Sequence, residues 1–141
     1  MSDYKIEIKN LFKIFGPNDK TMVKLVADGL SKQDLLDQKQ HVLGLRDVNI
    51  GISANSITVI MGLSGSGKST LIRHINRLIE PTVGQIIVDG KDVLAMDQEK
   101  IRDFRRFGAS MVFQKFGLMP HRTVLENGMY GLNIQGIASD E

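Results

Sequence analysis

Cysteine is absent from the 141 residues, so neither a disulfide framework nor a thiolate metal site is available. That fits a reducing cytosol. An excess of one charge is missing too: 18 lysines and arginines stand against 16 carboxylates, a net +2 spread along the chain. Without a basic stripe to follow a phosphate backbone, no nucleic acid is expected as partner. The longest uncharged stretch, Val48 to Gly67, is interrupted by Asn49, Ser53, Asn55, Ser56 and Thr58 and is not a spanning helix. The opening Met1-Ser2-Asp3-Tyr4-Lys5 has charges where a signal peptide needs an apolar segment. Internal repeats and low-complexity tracts are lacking. What remains is the length of one domain with 42% hydrophobic residues, enough for a core.

Against that background one stretch stands out, Gly62-Leu63-Ser64-Gly65-Ser66-Gly67-Lys68-Ser69-Thr70, which fits the P-loop pattern of a glycine, four residues and then G-K-[ST]. Ile57 to Met61 before it reads as a short buried strand. Ser69 onward reads as a helix, with Leu71, Ile72, Ile75, Leu78 and Ile79 spaced to form one apolar face. A polyphosphate needs many donors at close range. Gly62, Gly65 and Gly67 permit positive φ and remove the Cβ atoms that would keep phosphate oxygens from the amides. The helix adds its unsatisfied N–H groups and the positive end of its dipole. Lys68 can reach the β and γ phosphates, the Ser69 hydroxyl can ligate Mg²⁺, and Ser64, Ser66 and Thr70 complete the phosphate shell.

The rest of the chain reads as alternating short elements. Residues 4 to 14 form a half-buried strand with Ile6 and Ile8 on one face, closed by the turn Gly16-Pro17-Asn18-Asp19. A helix from Lys20 to about Ala27 breaks at Gly29, and Ser31 caps a second one that runs to Lys39, with Asp34 at the capping-box position. Leu45 to Ile52 resumes strand character. After Glu80-Pro81-Thr82, the run Gln85 to Val88 is a strand, Asp89-Gly90 a hairpin turn, and Lys91 to Leu94 the returning strand. Asp97 to Phe107 is a helix whose basic side, Lys100, Arg102, Arg105 and Arg106, reads as solvated. Ser110 to Phe113 is a further buried strand that delivers Gln114 to a loop. Thr123-Val124-Leu125-Glu126 is a capping box that opens a helix toward Ile137. The three histidines are unpaired at metal-ligand spacing: His41 in a loop, His74 on the exposed side of the P-loop helix, His121 in the loop after Gln114.

The P-loop, followed downstream by Val112-Phe113-Gln114 and then Leu118-Met119-Pro120-His121-x-Thr123-Val124, resembles the nucleotide-binding domain of ATP-binding cassette (ABC) transporters. Asn10-Leu11-x-Lys13-Ile14-Phe15-Gly16 and the insertion Gly29-Leu30-Ser31-Lys32 with Leu35-Leu36 are similar to the ATPase subunit of glycine betaine/proline betaine importers. The insertion discriminates, because most cassette ATPases run directly from the aromatic near Phe15 into the next strand. The resemblance spans essentially the whole chain but only the first part of the family's domain. It implies an α/β fold of the P-loop NTPase, ABC type: an antiparallel β part, a P-loop core with a mixed sheet, and the start of a helical subdomain. The insertion would occupy residues 18–43, the P-loop 62–70, and the Q-loop region 112–124.

The resemblance also implies roles. Phe15 would stack on adenine, with Phe12 competing for the part, since aromatic stacking suits any purine face. Gln114 would act with Lys68 in catalysis, ligating Mg²⁺ or positioning the attacking water. Phe116 to Val124 would lie near the coupling helix of a membrane permease. Two look-alikes are set aside: Asp89 precedes Gly90 where the family places its catalytic glutamate, and Leu63-Ser64-Gly65 belongs to the phosphate loop rather than to the family signature.

Phosphoryl transfer also needs an oriented water and neutralisation of developing charge. In this family the Leu-Ser-Gly-Gly-Gln signature, the aspartate-glutamate pair and the switch histidine would all lie downstream of position 141. The expectation is therefore the N-terminal portion of an energy-coupling ATPase. Two copies would sandwich two Mg·ATP and drive a permease fed indirectly by a solute-binding protein, at the cytoplasmic face of the membrane. Alone, the chain would lack turnover and would expose apolar surface, with marginal stability. A non-hydrolysing nucleotide- or partner-binding module is the alternative; a small P-loop kinase is weaker, because no acceptor site or arginine-bearing lid is recognisable.

Overall fold

The computed structural model describes residues 4–114 and 117–137. The chain divides into two compact units, Met1–Met96 and Asp97–Glu141.

The first unit is built on a four-stranded sheet in the order β2-β1-β3-β4, formed by β1 (Tyr4–Phe15), β2 (Val42–Ser53), β3 (Val83–Val88) and β4 (Lys91–Asp92). Every pairing is antiparallel. β1 lies in the middle and is bulged at Asn10, which takes φ 47° and donates its N–H to Asn49 Oδ1 at 2.8 Å. Past the bulge Leu11 and Phe12 are both buried, although neighbouring strand residues point to opposite faces. Both faces of the strand are therefore covered. Phe12 and Ile14 form one cluster with Val26 and Leu35 of the insertion, and Met22, Val23, Leu30, Leu43 and Val83 pack around it.

The insertion is much as its local signals predict. A 3₁₀ turn (Asp19–Met22) leads into α1 (Val23–Ala27), Gly29 at φ 108° breaks it, and α2 (Lys32–Lys39) follows with Ser31 accepting from the Asp34 N–H. The Asp89-Gly90 turn forms with both residues at positive φ, the type I′ geometry, and Asp89 pairs with Lys5 at 2.7 Å. The returning strand is shorter than expected. β4 stops at Asp92, whose carboxylate accepts from the Leu94 N–H at 2.8 Å and converts Val93–Ala95 into a 3₁₀ turn.

The P-loop helix α3 (Lys68–Ile75) departs from its predicted face in two ways. It ends at Ile75 because Arg77 adopts φ 51°, and the N–H groups of Leu78 and Ile79 both turn back to the Arg73 carbonyl. Its inward face is centred on Leu71 and His74, so Ile72 and Leu78 are exposed and His74, expected on the outside, is fully buried. His41 is buried as well, its ring filling the space beside Gly16.

The two predicted core strands also differ. Ile57 to Met61 is not part of the sheet, with Ile57 95% and Val59 70% exposed, and Ser110 to Phe113 likewise forms no strand, with Val112 on the surface. A strand requires a neighbouring strand, and none of the pairings of the four described strands includes either run. No parallel pairing, and so no mixed sheet, occurs among the described residues.

In the second unit Asp97 caps α4 (Gln98–Asp103), which continues as a π-helical turn (Phe104–Gly108). The expected helix thus changes pitch midway. Its Arg102, Arg105 and Arg106 are exposed. α5 (Val124–Gln135) starts at the expected capping box, Thr123 with Glu126, and ends at Gly136 with φ 77°. Among the described residues no helix is long and apolar enough to cross a membrane.

A candidate phosphate-binding loop and the ring beside it

Gly67 is the N-cap of α3 and takes φ 95°, while Gly65 takes φ 76° and Gly62 φ 158°. These angles fold residues 62–67 into a loop closed by the Ser66 N–H donating to Leu63 C=O at 3.2 Å. The first i to i−4 bond of α3 runs from the Leu71 N–H to the Gly67 carbonyl. Hence the amides of Lys68, Ser69 and Thr70 precede the helical ladder and lie at its positive end. The Lys68 ammonium donates to the carbonyls of Gly62 and Leu63, both at 2.8 Å, and approaches Ser66 Oγ at 3.5 Å. The loop therefore curls around a positive charge.

The three glycines are required for different reasons. A Cβ on Gly67 would lie 2.6 Å from the Gly44 carbonyl oxygen, so this glycine lets the loop seat on β2. Nothing lies within 4 Å of a Cβ built on Gly65, so there the glycine answers to its φ of 76° and not to crowding. At Gly62 a Cβ would meet Ser66 Oγ at 2.8 Å. Ser64 and Ser69 are exposed, and Thr70 is half-buried.

Phe15 reaches the same place from β1. Lys13 and Phe15 lie on the strand face opposite Phe12 and Ile14, and the Lys13 ammonium stands 5.0 Å from the Phe15 ring centroid. A Cβ on Gly44 would lie 2.8 Å from the Phe15 ring. Gly44 is thus flanked by the ring and by the start of α3. Phe12, the competing aromatic, is in the core, whereas the Phe15 ring is 41% exposed.

His74 lies one turn further along α3. Its Nδ1 faces the Thr70 carbonyl at 2.6 Å, and Nε2 has no hydrogen-bond partner among the described residues. Burial, its largest influence, holds its pKa below the ordinary value, the Thr70 carbonyl opposes this, and Lys13 reinforces it.

In the second unit Gln114 lies in an exposed turn. Lys115 and Phe116 fall outside the described residues, so the predicted permease-facing segment is visible only from Gly117 onward. There Asn127, unremarked in the sequence, holds the loop by accepting from the Met119 N–H at 2.8 Å and donating to the Met119 and Thr123 carbonyls. Gly44 and Lys13 were also missed. A glycine inside a strand pattern is the signal that could have found the first, because it marks close approach of another backbone.

This loop, seated on an antiparallel sheet with an aromatic ring across Gly44, has the features of a nucleotide-binding P-loop. The ABC transporter family profile matches residues 45–141, and the chain belongs to that family. It is 48% identical over 137 residues to the glycine betaine/proline betaine transport system ATP-binding protein ProV of Salmonella typhimurium, a match covering 97% of this chain and 34% of that protein. It is 47% identical over 137 residues to the glycine betaine transport ATP-binding protein OpuAA of Bacillus subtilis, again 97% of this chain and 33% of the relative. The chain spans about a third of the length of these relatives. Among solved structures, the dimeric ABC transporter cassette MJ0796 superposes with a TM-score of 0.72 at 29% identity, over 92% of this chain and 47% of that one. A post-hydrolysis dimer of the same cassette, bound to ADP and Pi, gives 0.72 at 27%, over 96% and 49%.

Proposed function

We propose that the chain is the nucleotide-binding part of an energy-coupling ATPase serving an importer of glycine betaine, proline betaine or a related quaternary amine. The observation that carries this reading is the Lys68-centred loop at the start of α3, in a chain 48% identical to an ATP-binding protein of that transport class. ATP would lay its phosphates along residues 62–70, on the loop amides and the first-turn amides of α3. Lys68 would exchange its carbonyl partners for the β and γ phosphates. Phe15 would take the base.

The chemistry of the residues fits Mg²⁺ as well: Ser69, the second residue of α3, is exposed and carries a hydroxyl oxygen that suits a hard cation. When bound, Mg²⁺ neutralises charge between the β and γ phosphates. Ser69 would hold it, and Gln114 would contribute its amide to the metal or to the attacking water. Partners follow from the same reading: a membrane permease, a second copy of the ATPase, and a solute-binding protein acting indirectly, with the ATPase peripheral at the cytoplasmic face.

Calorimetric titration with Mg·ATP tests the core of the proposal. Binding that weakens at least about tenfold in Lys68→Ala, with circular dichroism unchanged, is expected, since hydrogen bonds to a charged group contribute ~1.5–3 kcal/mol. Equal affinity in the two proteins would sink it.

A further inference from the structure

Thr82 lies at the start of β3, only 3% exposed, and its hydroxyl is shared between two elements. The Thr82 N–H continues the ladder to the Phe12 carbonyl at 2.9 Å. One step further along β1 the partner is the Thr82 side chain rather than a backbone group. Thr82 Oγ1 accepts the N–H of buried Ile14 at 2.9 Å and approaches the Ile14 carbonyl at 3.3 Å. A hydroxyl has one proton to give, and the shortest contact, 2.6 Å to Asp19 Oδ2, receives it.

Ile14 precedes Phe15 directly, and Asp19 opens the 3₁₀ turn that begins the insertion. One hydroxyl therefore ties the backbone just before Phe15 to the Asp19 side chain just after it. His41 secures the stretch between: its Nε2 faces the Pro17 carbonyl at 2.7 Å, Nδ1 faces the Lys39 carbonyl, and its ring fills the place a Gly16 Cβ would occupy. Ile14 and Pro17 are bonded through their backbone and Asp19 through its carboxylate, while the Phe15 ring stays on the surface beside Gly44. A ring held before the ligand arrives loses less freedom on stacking than one that must be ordered.

We propose that Thr82 is a positioning residue for the base-stacking ring: through Ile14 and Asp19 it couples the helical insertion to Phe15. This rests on the nucleotide-binding reading above. The test compares Mg·ATP with magnesium tripolyphosphate, which offers the same phosphates without a base, and reads the ratio of their dissociation constants by calorimetry. In the wild type ATP binds more tightly, by about tenfold given the strength of base–aromatic stacking. Phe15→Ala collapses that preference. Thr82→Val, similar in shape but without the hydroxyl, is expected to reduce it at least threefold, and Thr82→Ser to retain it. A wild-type ratio in Thr82→Val overturns the proposal. Should Thr82→Val not fold, Asp19→Ala removes the hydroxyl's acceptor from a partly exposed position, and an unaltered ratio there overturns it equally. A ratio unchanged in Phe15→Ala instead overturns the stacking reading, and binding of neither ligand by the wild type overturns the nucleotide-binding reading itself.

Discussion

Phe12 and Ile14 of β1 and the run Ile57–Met61 both supply large apolar side chains, and their surroundings are opposite. The first lies between β2 and β3, covered by Val26 and Leu35 of the insertion. The second leads into the P-loop with Ile57, Val59 and Met61 turned to water. Large apolar side chains are common to both, so their presence does not account for the difference. Hydrogen-bonding neighbours do: a run becomes a strand where adjacent chains accept its N–H and supply its C=O partners, and burial of side chains follows.

The comparison can be broken most sharply at Leu35. Leu35→Ala opens a cavity in a fully buried cluster and should lower the unfolding free energy by ~2–5 kcal/mol in urea denaturation. A loss no larger than that of a surface substitution would mean the insertion is not part of the folding core. A second lever is acid. His74 is buried with its pKa lowered, chiefly by desolvation, so the unfolded chain binds the extra proton more readily. The stability it contributes is complete above its ordinary pKa of 6.5 and declines as pH falls through that value toward the folded pKa. His74→Leu should flatten this part of the stability-against-pH curve, and a slope unchanged by that replacement would refute the assignment. The smallest effect is expected at Val59→Ala, within about 0.5 kcal/mol, because the side chain is already in solvent. A cost near that of Leu35→Ala would show that the segment before the P-loop is packed after all.

The same contrast explains what could be read from the sequence. Ser31 with Asp34, Asp89-Gly90 and Thr123 with Glu126 are local codes, satisfied within a few residues, and each formed as read. The loop glycines were legible for the same reason, since their positive φ is a property of the loop itself. Long-range partners were not. The bond that fixes Ile14 comes from Thr82, 68 positions away, and the carbonyl facing His41 Nε2 comes from Pro17, 24 positions away. His74 was assigned to the wrong side of its helix because a histidine among isoleucines reads as the polar face, whereas α3 turns Leu71 and His74 inward. That Phe15 is exposed and Phe12 buried follows from strand parity after the bulge at Asn10, which periodicity alone does not locate.

Gly44 separates two neighbours by the width of a backbone, with the Phe15 ring on one side and Gly67 on the other. In evolutionary terms this makes it a closed door. Any replacement adds an atom that intrudes on the ring, in a strand whose carbonyl already supports Gly67, so a change meant to alter base preference would disturb the phosphate loop at the same stroke. Neighbouring Lys13, long, flexible and half-buried at 5.0 Å from the ring, carries no such double constraint. On the proposed reading of Phe15, replacing Lys13 should alter base preference with less damage to the phosphate loop than replacing Gly44.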